Sequence, residues 1–209
     1  MNFQLPKIYP ITDIRISGLS HLEQVKRLIA GGATLIQLRE KHLSPADFFE
    51  DASAAISFAR ERSVKIIIND RVDIAAALDA DGVHLGQDDL PPAEARKILG
   101  NDAIIGFSTH TFEQIREALL LPVDYMAYGP IFETNTKENP DDTVGLSALK
   151  HVREIIGGTQ LVAIGGIDAD NYQSVFAAGA DSMAMINAIL SDAVKIEARM
   201  KAFNDIPTA

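Results

Sequence analysis

Two cationic side chains follow an apolar run in the stretch Gln37-Leu-Arg39-Glu-Lys41. Side chains alternate between the two faces of a strand, so Gln37, Arg39 and Lys41 are expected to share one face. A fixed guanidinium group and an ammonium group suit a phosphate or pyrophosphate. The alternative is a solvated strand end, but three polar side chains in succession on one face favour an anion site.

Two further apolar runs end on carboxylates. One is followed by Asn69 and Asp70, and the next ends in a stretch that includes Asp89. With no cysteine or histidine at those ends, the carboxylate oxygens suit a hard cation such as Mg²⁺ that also bridges to phosphate. Asp70 and Asp89 are therefore the predicted metal ligands. Each aspartate alone could instead be a turn residue or a helix cap, and Asp89 lies just before a helix predicted from Pro91.

Other polar side chains lie near the same strand ends. Ser108 is a candidate contact to phosphate or substrate, and Thr111 has the residue type and position of a helix N-cap. His110 could act as a general base, although no carboxylate near it in sequence would orient it. His84 lies inside a predicted strand, where we expect a packed, hydrogen-bonded histidine rather than a catalyst.

These residues sit on a regular alternation of strand-like and helix-like segments. The eight predicted strands are Ile8–Thr12, Thr34–Glu40, Val64–Asp70, Gly82–Gly86, Ile104–His110, Tyr125–Ile131, Leu161–Ile167 and Ser182–Ile189. The predicted helices are Leu22–Ala30, Pro45–Arg62, Val72–Leu78, Pro91–Leu99, Phe112–Leu120, Ser147–Ile156, Asn171–Ala178 and Ala193–Ala202. Eight such units predict an α/β fold, a compact (β/α)₈ TIM barrel that forms one domain over residues 1–209. An open doubly wound sheet is the alternative, but the glycine-rich turn typical of it is missing after the first strand.

A barrel places chemistry at the C-terminal ends of its strands and in the loops that follow. The connection after the sixth strand, residues 132–145, is long and polar. We expect it to be a lid whose Thr134, Thr136 and Lys137 close over a phosphorylated substrate, with a disordered segment as the alternative. Gly165 and Gly166 lie at the end of the seventh predicted strand, where this fold commonly binds phosphate through backbone N–H groups. A tight turn without a ligand is the alternative.

Composition excludes several classes of protein. The 209 residues carry 19 Lys and Arg against 29 Asp and Glu, a formal charge of −10 that opposes a general nucleic-acid or anionic-membrane surface. No apolar stretch approaches the ~20 residues of a membrane span. There is no cysteine, so disulfides and thiol nucleophiles are excluded. The first residues lack the pattern of an export signal, which predicts a cytoplasmic protein. The oligomeric state stays open, and a homo-oligomer is compatible with the sequence.

Taken together, these motifs resemble the thiamine phosphate synthase family over residues 9–189. The matching segments are Gln37–Lys41, Ile68–Asp70, Gly82–Asp89, Gly129–Thr134, Thr136–Lys137 and Gly165–Ile167. The resemblance implies a Mg²⁺-dependent barrel enzyme that joins a hydroxymethylpyrimidine diphosphate to a thiazole phosphate, giving thiamine phosphate and pyrophosphate. It also implies a dissociative reaction, in which pyrophosphate leaves first and the thiazole nitrogen captures a pyrimidine-methyl cation.

The resemblance assigns roles to particular residues. The metal ligands would be Asp70 and Asp89. The contacts to the diphosphate or the adjacent pyrimidine would be Arg39, Lys41, Asn69 and Lys137, with Gln37 and Ser108 at the pyrimidine. The contacts to the thiazole phosphate would be Thr134, Thr136, Gly166, Ile186 and Asn187. Of these residues, Arg39, Lys41, Ser108 and Lys137 are the predicted catalytic groups.

Asn187 departs from the family, which commonly has serine at this position. Only a main-chain contact to phosphate is therefore expected there. Two other functions are compatible with parts of the sequence. A thiazole tautomerase on the same barrel resembles the stretch from Asn69 to Asp73, but it carries histidine at the position of Pro130 and lacks the pattern that supplies Asp89. A non-catalytic binder of phosphorylated ligands would not need both carboxylates.

Overall fold

The computed structural model describes residues 3–134 and 142–205. Its strands are β1 (Ile8–Thr12), β2 (Leu35–Leu38), β3 (Lys65–Asn69), β4 (Gly82–Leu85), β5 (Ile104–Thr109), β6 (Tyr125–Tyr128), β7 (Gln160–Ile164) and β8 (Ser182–Met185). All neighbouring pairs are parallel, and β8 pairs with β1 to close the barrel in sequence order. The predicted (β/α)₈ barrel is confirmed, and the open sheet is excluded.

Helices connect the strands on the outside of the barrel. They are α1 (Ile14–Ser17), α2 (His21–Ala30), α3 (Pro45–Arg60), α4 (Val72–Ala77), α5 (Pro92–Leu99), α6 (Phe112–Ala118), α7 (Gly145–Ile156), α8 (Tyr172–Ala177), α9 (Asn187–Leu190) and α10 (Ile196–Asn204), with a 3₁₀ turn at Ala193–Lys195. Among the described residues, no helix combines the length and the apolar character that crossing a membrane requires.

Strand alternation divides the apolar residues between two cores. On β3, Ile67 faces the barrel interior while Ile66 and Ile68 face the helices. The interior cluster consists of Tyr9, Ile11, Leu35, Ile67, Ile104, Tyr125, Ala127, Val162 and Ala184. The outer cluster is larger and lies between the strands and the helices. The interior is therefore packed with side chains below the strand ends, which leaves the C-terminal face for a site.

Several predicted strands were too long at their C-terminal ends. The second, sixth, seventh and eighth were predicted to reach Glu40, Ile131, Ile167 and Ile189, whereas β2, β6, β7 and β8 end at Leu38, Tyr128, Ile164 and Met185. The backbone turns away from the sheet there, through a cis Gly129–Pro130 peptide bond after β6 and two glycines with positive φ after β7. Short helices α1 and α9 were not predicted, since four residues carry too little periodicity.

Three aspartates link neighbouring strands at the N-terminal face of the barrel, opposite the strand ends that carry the predicted site residues. Asp81, Asp124 and Asp181 each directly precede an even-numbered strand, and each carboxylate accepts a 2.8 Å hydrogen bond from a backbone amide of the preceding strand. The amides belong to Ile66, Ile105 and Leu161. The basic partners of the three carboxylates are Lys65, Arg96 and Arg153. This repeated contact joins β3 to β4, β5 to β6 and β7 to β8.

Candidate functional site

A cavity of about 1160 Å³ opens at the C-terminal ends of the strands. The predicted site residues that line it are Gln37, Arg39, Lys41, Asn69, Asp70, Asp89, Ser108, Thr134, Gly166, Ile186 and Asn187. Thr136 and Lys137 lie outside the described residues. The structure therefore brings together every predicted site residue that it describes, while the role of each stays a prediction.

The two predicted cations are each paired with a carboxylate. Arg39 Nη1 donates to Asp13 Oδ2 at 3.0 Å, and Lys41 Nζ pairs with Asp70 Oδ2. Both follow the end of β2 rather than lying on it, because Glu40 turns the loop by accepting backbone hydrogen bonds from the two residues after Lys41. The guanidinium is held in a fixed direction at the cavity wall, and sequence reasoning missed the partner, Asp13, that fixes it.

A buried histidine, His21, is hydrogen-bonded to this loop through the side chain of Glu40. The side chain of His21 is fully buried, with Nδ1 2.7 Å from Thr12 Oγ1 and Nε2 3.2 Å from Glu40 Oε2. Burial lowers the pKa of His21, while the negative charges of Asp51, Glu40 and Asp13 act in the opposite direction. Thr12 Oγ1 in turn accepts the backbone N–H of Arg39 at 3.3 Å. Nothing in the sequence pattern around His21 indicated this role.

The carboxylates of Asp70 and Asp89 face each other across the ends of β3 and β4. Burial raises the pKa of Asp89, and the neighbouring Asp70 raises it further, while the amide of Gly86 and the charge of Lys41 lower it. Asp70 has a φ of 62°, a left-handed conformation that is uncommon outside glycine and that is found at functional sites. The left-handed backbone and the opposed like charges are consistent with the predicted metal-binding role of this pair, which stays a prediction.

The capping alternative for Asp89 is wrong. Its Oδ2 accepts the backbone N–H of Gly86 at 2.7 Å, whereas α5 has Pro91 at its N-cap and no side-chain cap. Thr111 does cap α6 as predicted, through a capping box with Gln114. Asp89 is thus held toward the cavity by the loop that follows β4.

The donor set fits Mg²⁺. Two carboxylates with adjacent like charges favour a divalent cation, and oxygen ligands are those that Mg²⁺ prefers. Within the described residues, no group of three or more histidine, aspartate or glutamate side chains is arranged to hold a metal. Mg²⁺ commonly takes only one or two carboxylates together with substrate phosphates, so a pair of carboxylates is compatible with that ion.

A series of hydrogen-bonded polar side chains, called the polar chain below, crosses the barrel interior beneath the cavity. Its members come from five strands and are Gln37, Tyr9, Tyr125, His84 and Ser108. His84 is buried and hydrogen-bonded at both ring nitrogens, as its position within a strand predicted. Sequence reasoning missed the two tyrosines; the only signal was that each lies on an interior-facing strand position. His110 also lines the cavity, with Nδ1 2.6 Å from the carbonyl oxygen of Gly129, and its proposed role as a base stays untested.

The opposite wall of the cavity is formed where the loops after β6 and β7 meet. Gly165 and Gly166 have φ values of 102° and 63°. A side chain at Gly166 would place its Cβ 2.5 Å from the carbonyl oxygen of Glu133, so the two loops can approach this closely only with glycine there. Asn187 begins α9 directly after β8, beside the same wall. Backbone groups therefore dominate this end of the cavity.

The family model that matches this chain and similar relatives are named for thiamine phosphate synthesis. A family model described as thiamine monophosphate synthase matches residues 8–189. A thiamine-phosphate synthase from Clostridium novyi (strain NT) is 45% identical over 187 residues, covering 89% of this chain and 91% of the relative. One from Chloroflexus aurantiacus is 42% identical over 186 residues, covering 88% of this chain and 85% of the relative.

Two solved structures are similar to this one, to different degrees. Thiamine phosphate pyrophosphorylase from Pyrococcus furiosus is 34% identical, with a TM-score of 0.83 and 95% of each chain covered. A 2-keto-3-deoxy-6-phospho-gluconate aldolase from Zymomonas mobilis covers 99% of this chain and 96% of its own, with a TM-score of 0.73, but at 17% identity it shares the fold alone.

Proposed function

Because the chain belongs to the thiamine monophosphate synthase family, we propose that it joins 4-amino-5-hydroxymethyl-2-methylpyrimidine diphosphate to 4-methyl-5-(2-phosphooxyethyl)thiazole, giving thiamine phosphate and pyrophosphate. The observation that carries this proposal is the juxtaposition of Asp70, Asp89, Arg39 and Lys41 around one cavity at the strand ends. Two carboxylates beside two cations suit a metal-bound diphosphate.

Departure of the diphosphate is the step that these residues would assist. The bond from the pyrimidine methylene carbon to the diphosphate oxygen breaks with both electrons on oxygen, so negative charge builds up on the leaving group. Asp13 holds the Arg39 guanidinium in place before substrate arrives, and a preorganised donor of this kind would lower the barrier to this step. Asn69, at the end of β3, would add a hydrogen bond to the same group or to the adjacent pyrimidine.

Asp70 and Asp89 would hold Mg²⁺ on the diphosphate. When bound there, the ion would neutralise charge that develops on the departing pyrophosphate. Lys41 pairs with Asp70 in the structure, and we expect the ammonium group to contact the diphosphate once the carboxylate binds the metal. No nucleophilic side chain is required, since the thiazole nitrogen supplies the electron pair that forms the new carbon–nitrogen bond.

The thiazole phosphate would bind at the opposite wall. Gly166, Ile186 and Asn187 offer backbone groups there, and Thr134 offers a hydroxyl. Thr136 would contribute a second hydroxyl, and Lys137 a charge to the diphosphate, from the segment that we propose closes as a lid. Closure would exclude water, which would otherwise capture the pyrimidine cation and form the alcohol.

Both substrates carry phosphate groups, and such anions do not cross an apolar bilayer unaided. We therefore place the reaction in the cytoplasm, where cell fractionation followed by activity measurement would detect it.

The decisive experiment is formation of thiamine phosphate from the two purified substrates, with Mg²⁺ and with excess chelator. Product only with Mg²⁺ supports the proposal. Absence of product from folded protein would contradict it, and interconversion of thiazole isomers would then identify the tautomerase.

Variants locate the metal requirement. Asp70→Asn and Asp89→Asn should each lower turnover at least about 100-fold at saturating Mg²⁺, because each removes a charge that holds the ion. The melting temperature of Asp89→Asn should be no lower than that of the unsubstituted protein, since one of two opposed carboxylates is removed. Asp102→Asn is the matched control, because that exposed carboxylate lies two residues before β5, at the other end of the barrel. Turnover equal to the control in both variants would remove the metal assignment.

A further inference from the structure

The polar chain beneath the cavity is continuous from one side of the barrel to the other. Gln37 Nε2 lies 3.1 Å from Tyr9 Oη, which lies 2.9 Å from Tyr125 Oη. Tyr125 Oη lies 3.0 Å from His84 Nδ1, and His84 Nε2 lies 2.8 Å from Ser108 Oγ. Only its two ends, Gln37 and Ser108, were expected to touch substrate; the three residues between them have no assigned role.

The fold makes room for this chain at a specific glycine. A Cβ at Gly106 would lie 2.0 Å from Tyr125 Cζ, 2.3 Å from Tyr125 Oη and 2.5 Å from His84 Nδ1. The hydrogen bond between Tyr125 and His84 thus occupies the space that a side chain on β5 would fill. The two rings also stack, with centroids 5.5 Å apart and planes 22° apart. The arrangement is therefore built into the packing of the interior.

All the hydrogen bonds of the polar chain must donate in the same direction, either from Gln37 toward Ser108 or from Ser108 toward Gln37. Each phenol has a single hydrogen, and a neutral imidazole donates from one nitrogen and accepts at the other. Burial raises the pKa of both Tyr9 and Tyr125, so both phenols keep their hydrogens at neutral pH. With Gln37 Nε2 as the donor to Tyr9 Oη, the arrangement that satisfies the whole series has Tyr9 donating to Tyr125 Oη and Tyr125 donating to His84 Nδ1.

That direction determines what the chain presents to the cavity at each end. In this direction a neutral His84 carries its hydrogen on Nε2 and donates it to Ser108 Oγ, which leaves the hydroxyl hydrogen of Ser108 free to point toward the cavity. At the other end, Gln37 donates one of its two amide N–H groups to Tyr9, so Oε1 stays available as an acceptor beside the second N–H. Both residues line the cavity. In the reverse direction the Ser108 hydrogen and Gln37 Oε1 would both be used within the series, which would leave Ser108 as an acceptor and Gln37 with its N–H donors alone.

We infer that Tyr9, Tyr125 and His84 are positioning residues that set Ser108 as a hydrogen-bond donor and Gln37 as an acceptor toward a ring that offers an acceptor nitrogen next to an amino group. This inference rests on the proposed function, because the 4-aminopyrimidine of the first substrate has that edge. A 4-oxopyrimidine has the opposite edge, with a ring N–H donor beside a carbonyl acceptor, and the chain discriminates against it. The device acts through hydrogen-bond direction rather than through shape, since the two rings are nearly the same size.

The first test needs no substrate. The ¹⁵N NMR signals of the His84 ring, recorded at mildly alkaline pH in the unsubstituted protein, report which nitrogen carries the hydrogen. We expect the Nε2–H tautomer. In Tyr9→Phe, where Tyr125 no longer receives a hydrogen bond from Tyr9, we expect the Nδ1–H tautomer to become detectable. Tyr128→Phe is the matched control, because it removes a buried tyrosine hydroxyl outside the chain. An Nδ1–H tautomer in the unsubstituted protein would overturn the inference.

The second test measures selectivity. The ratio of kcat/KM for the 4-aminopyrimidine diphosphate to that for its 4-oxo analogue should fall by about tenfold or more in Tyr9→Phe and stay constant in Tyr128→Phe. An unchanged ratio in an active Tyr9→Phe protein would overturn the chain while leaving the synthase intact. An unsubstituted protein that makes no thiamine phosphate would instead contradict the proposed function, and the tautomer measurement would still decide the direction of the chain.

Discussion

Replacing Gly106 with alanine tests whether the interior is packed as the structure shows. The added methyl group would lie 2.0 Å from Tyr125 Cζ and 2.5 Å from His84 Nδ1, far inside van der Waals contact. Tyr125 is fully buried against the opposite wall of the barrel and cannot move aside freely. Overpacking of this kind costs about 1–3 kcal/mol, and separating the tyrosine from the histidine leaves buried polar groups unpaired at about 1–3 kcal/mol more. Together these costs come to about 2–6 kcal/mol, with about 3 kcal/mol taken as the expected loss.

Thermal unfolding measures this loss. For a chain of this length, about 3 kcal/mol lowers the melting temperature by roughly 6–12 °C. Gly158→Ala is the matched control, because a Cβ there meets no heavy atom within 4 Å and the backbone is not left-handed. Its melting temperature should stay within about 2 °C of the unsubstituted protein. A Gly106→Ala protein that melts with the control would refute the packing described for the floor of the cavity.

Three further predictions concern other parts of the chain. Because burial lowers the pKa of His21, the unfolded protein takes up a proton that the folded protein does not as the pH falls below about 6.5. The melting temperature should therefore fall over that range, and a His21→Gln protein should show a smaller fall; equal slopes would contradict this. Asp124→Ala should destabilise the protein by about 1.5–3 kcal/mol in denaturant unfolding without changing KM, since its carboxylate holds a backbone amide far from the cavity. Lys137→Ala should slow turnover at least about 100-fold, whereas unchanged turnover would make the proposed lid a simple connector.

The fold was predictable because its signal is local and repeated. Each apolar run, such as that ending at Ile68, is read from a few consecutive residues, and eight of them separated by helices define the barrel. The strand ends were less predictable, because Ile131 and Ile167 are apolar residues that pack under loops rather than in the sheet. Their placement depends on turns at neighbouring glycines, whose backbone angles the sequence does not show.

The site was predictable where its residues follow adjacent strands. Asp70 and Asp89 follow β3 and β4, which pair, so their proximity follows from strand order alone. The contacts that support the site come from distant segments. Tyr9 and Tyr125 meet across the barrel, 116 residues apart in sequence, and only the closed geometry brings them together. His21 supports the loop of Arg39 from a helix whose sequence gives no sign of it.

The contacts of the three aspartates at the N-terminal face should make the barrel more tolerant of a chain break in some loops than in others. Each carboxylate joins an odd-numbered strand to the loop that leads into the next strand, so β3 is linked to β4, β5 to β6 and β7 to β8. A chain cut at Gly158 keeps all three carboxylate-to-amide contacts within single fragments and, of the ion pairs of these aspartates, splits only that of Arg153 with Asp181. A cut at Ala180 instead places Asp181 and the Leu161 amide on different fragments. Split versions of the protein should therefore reassemble best when the cut lies in a loop between two linked pairs, such as the loop at Gly158. This loop lies at the N-terminal face of the barrel, away from the cavity.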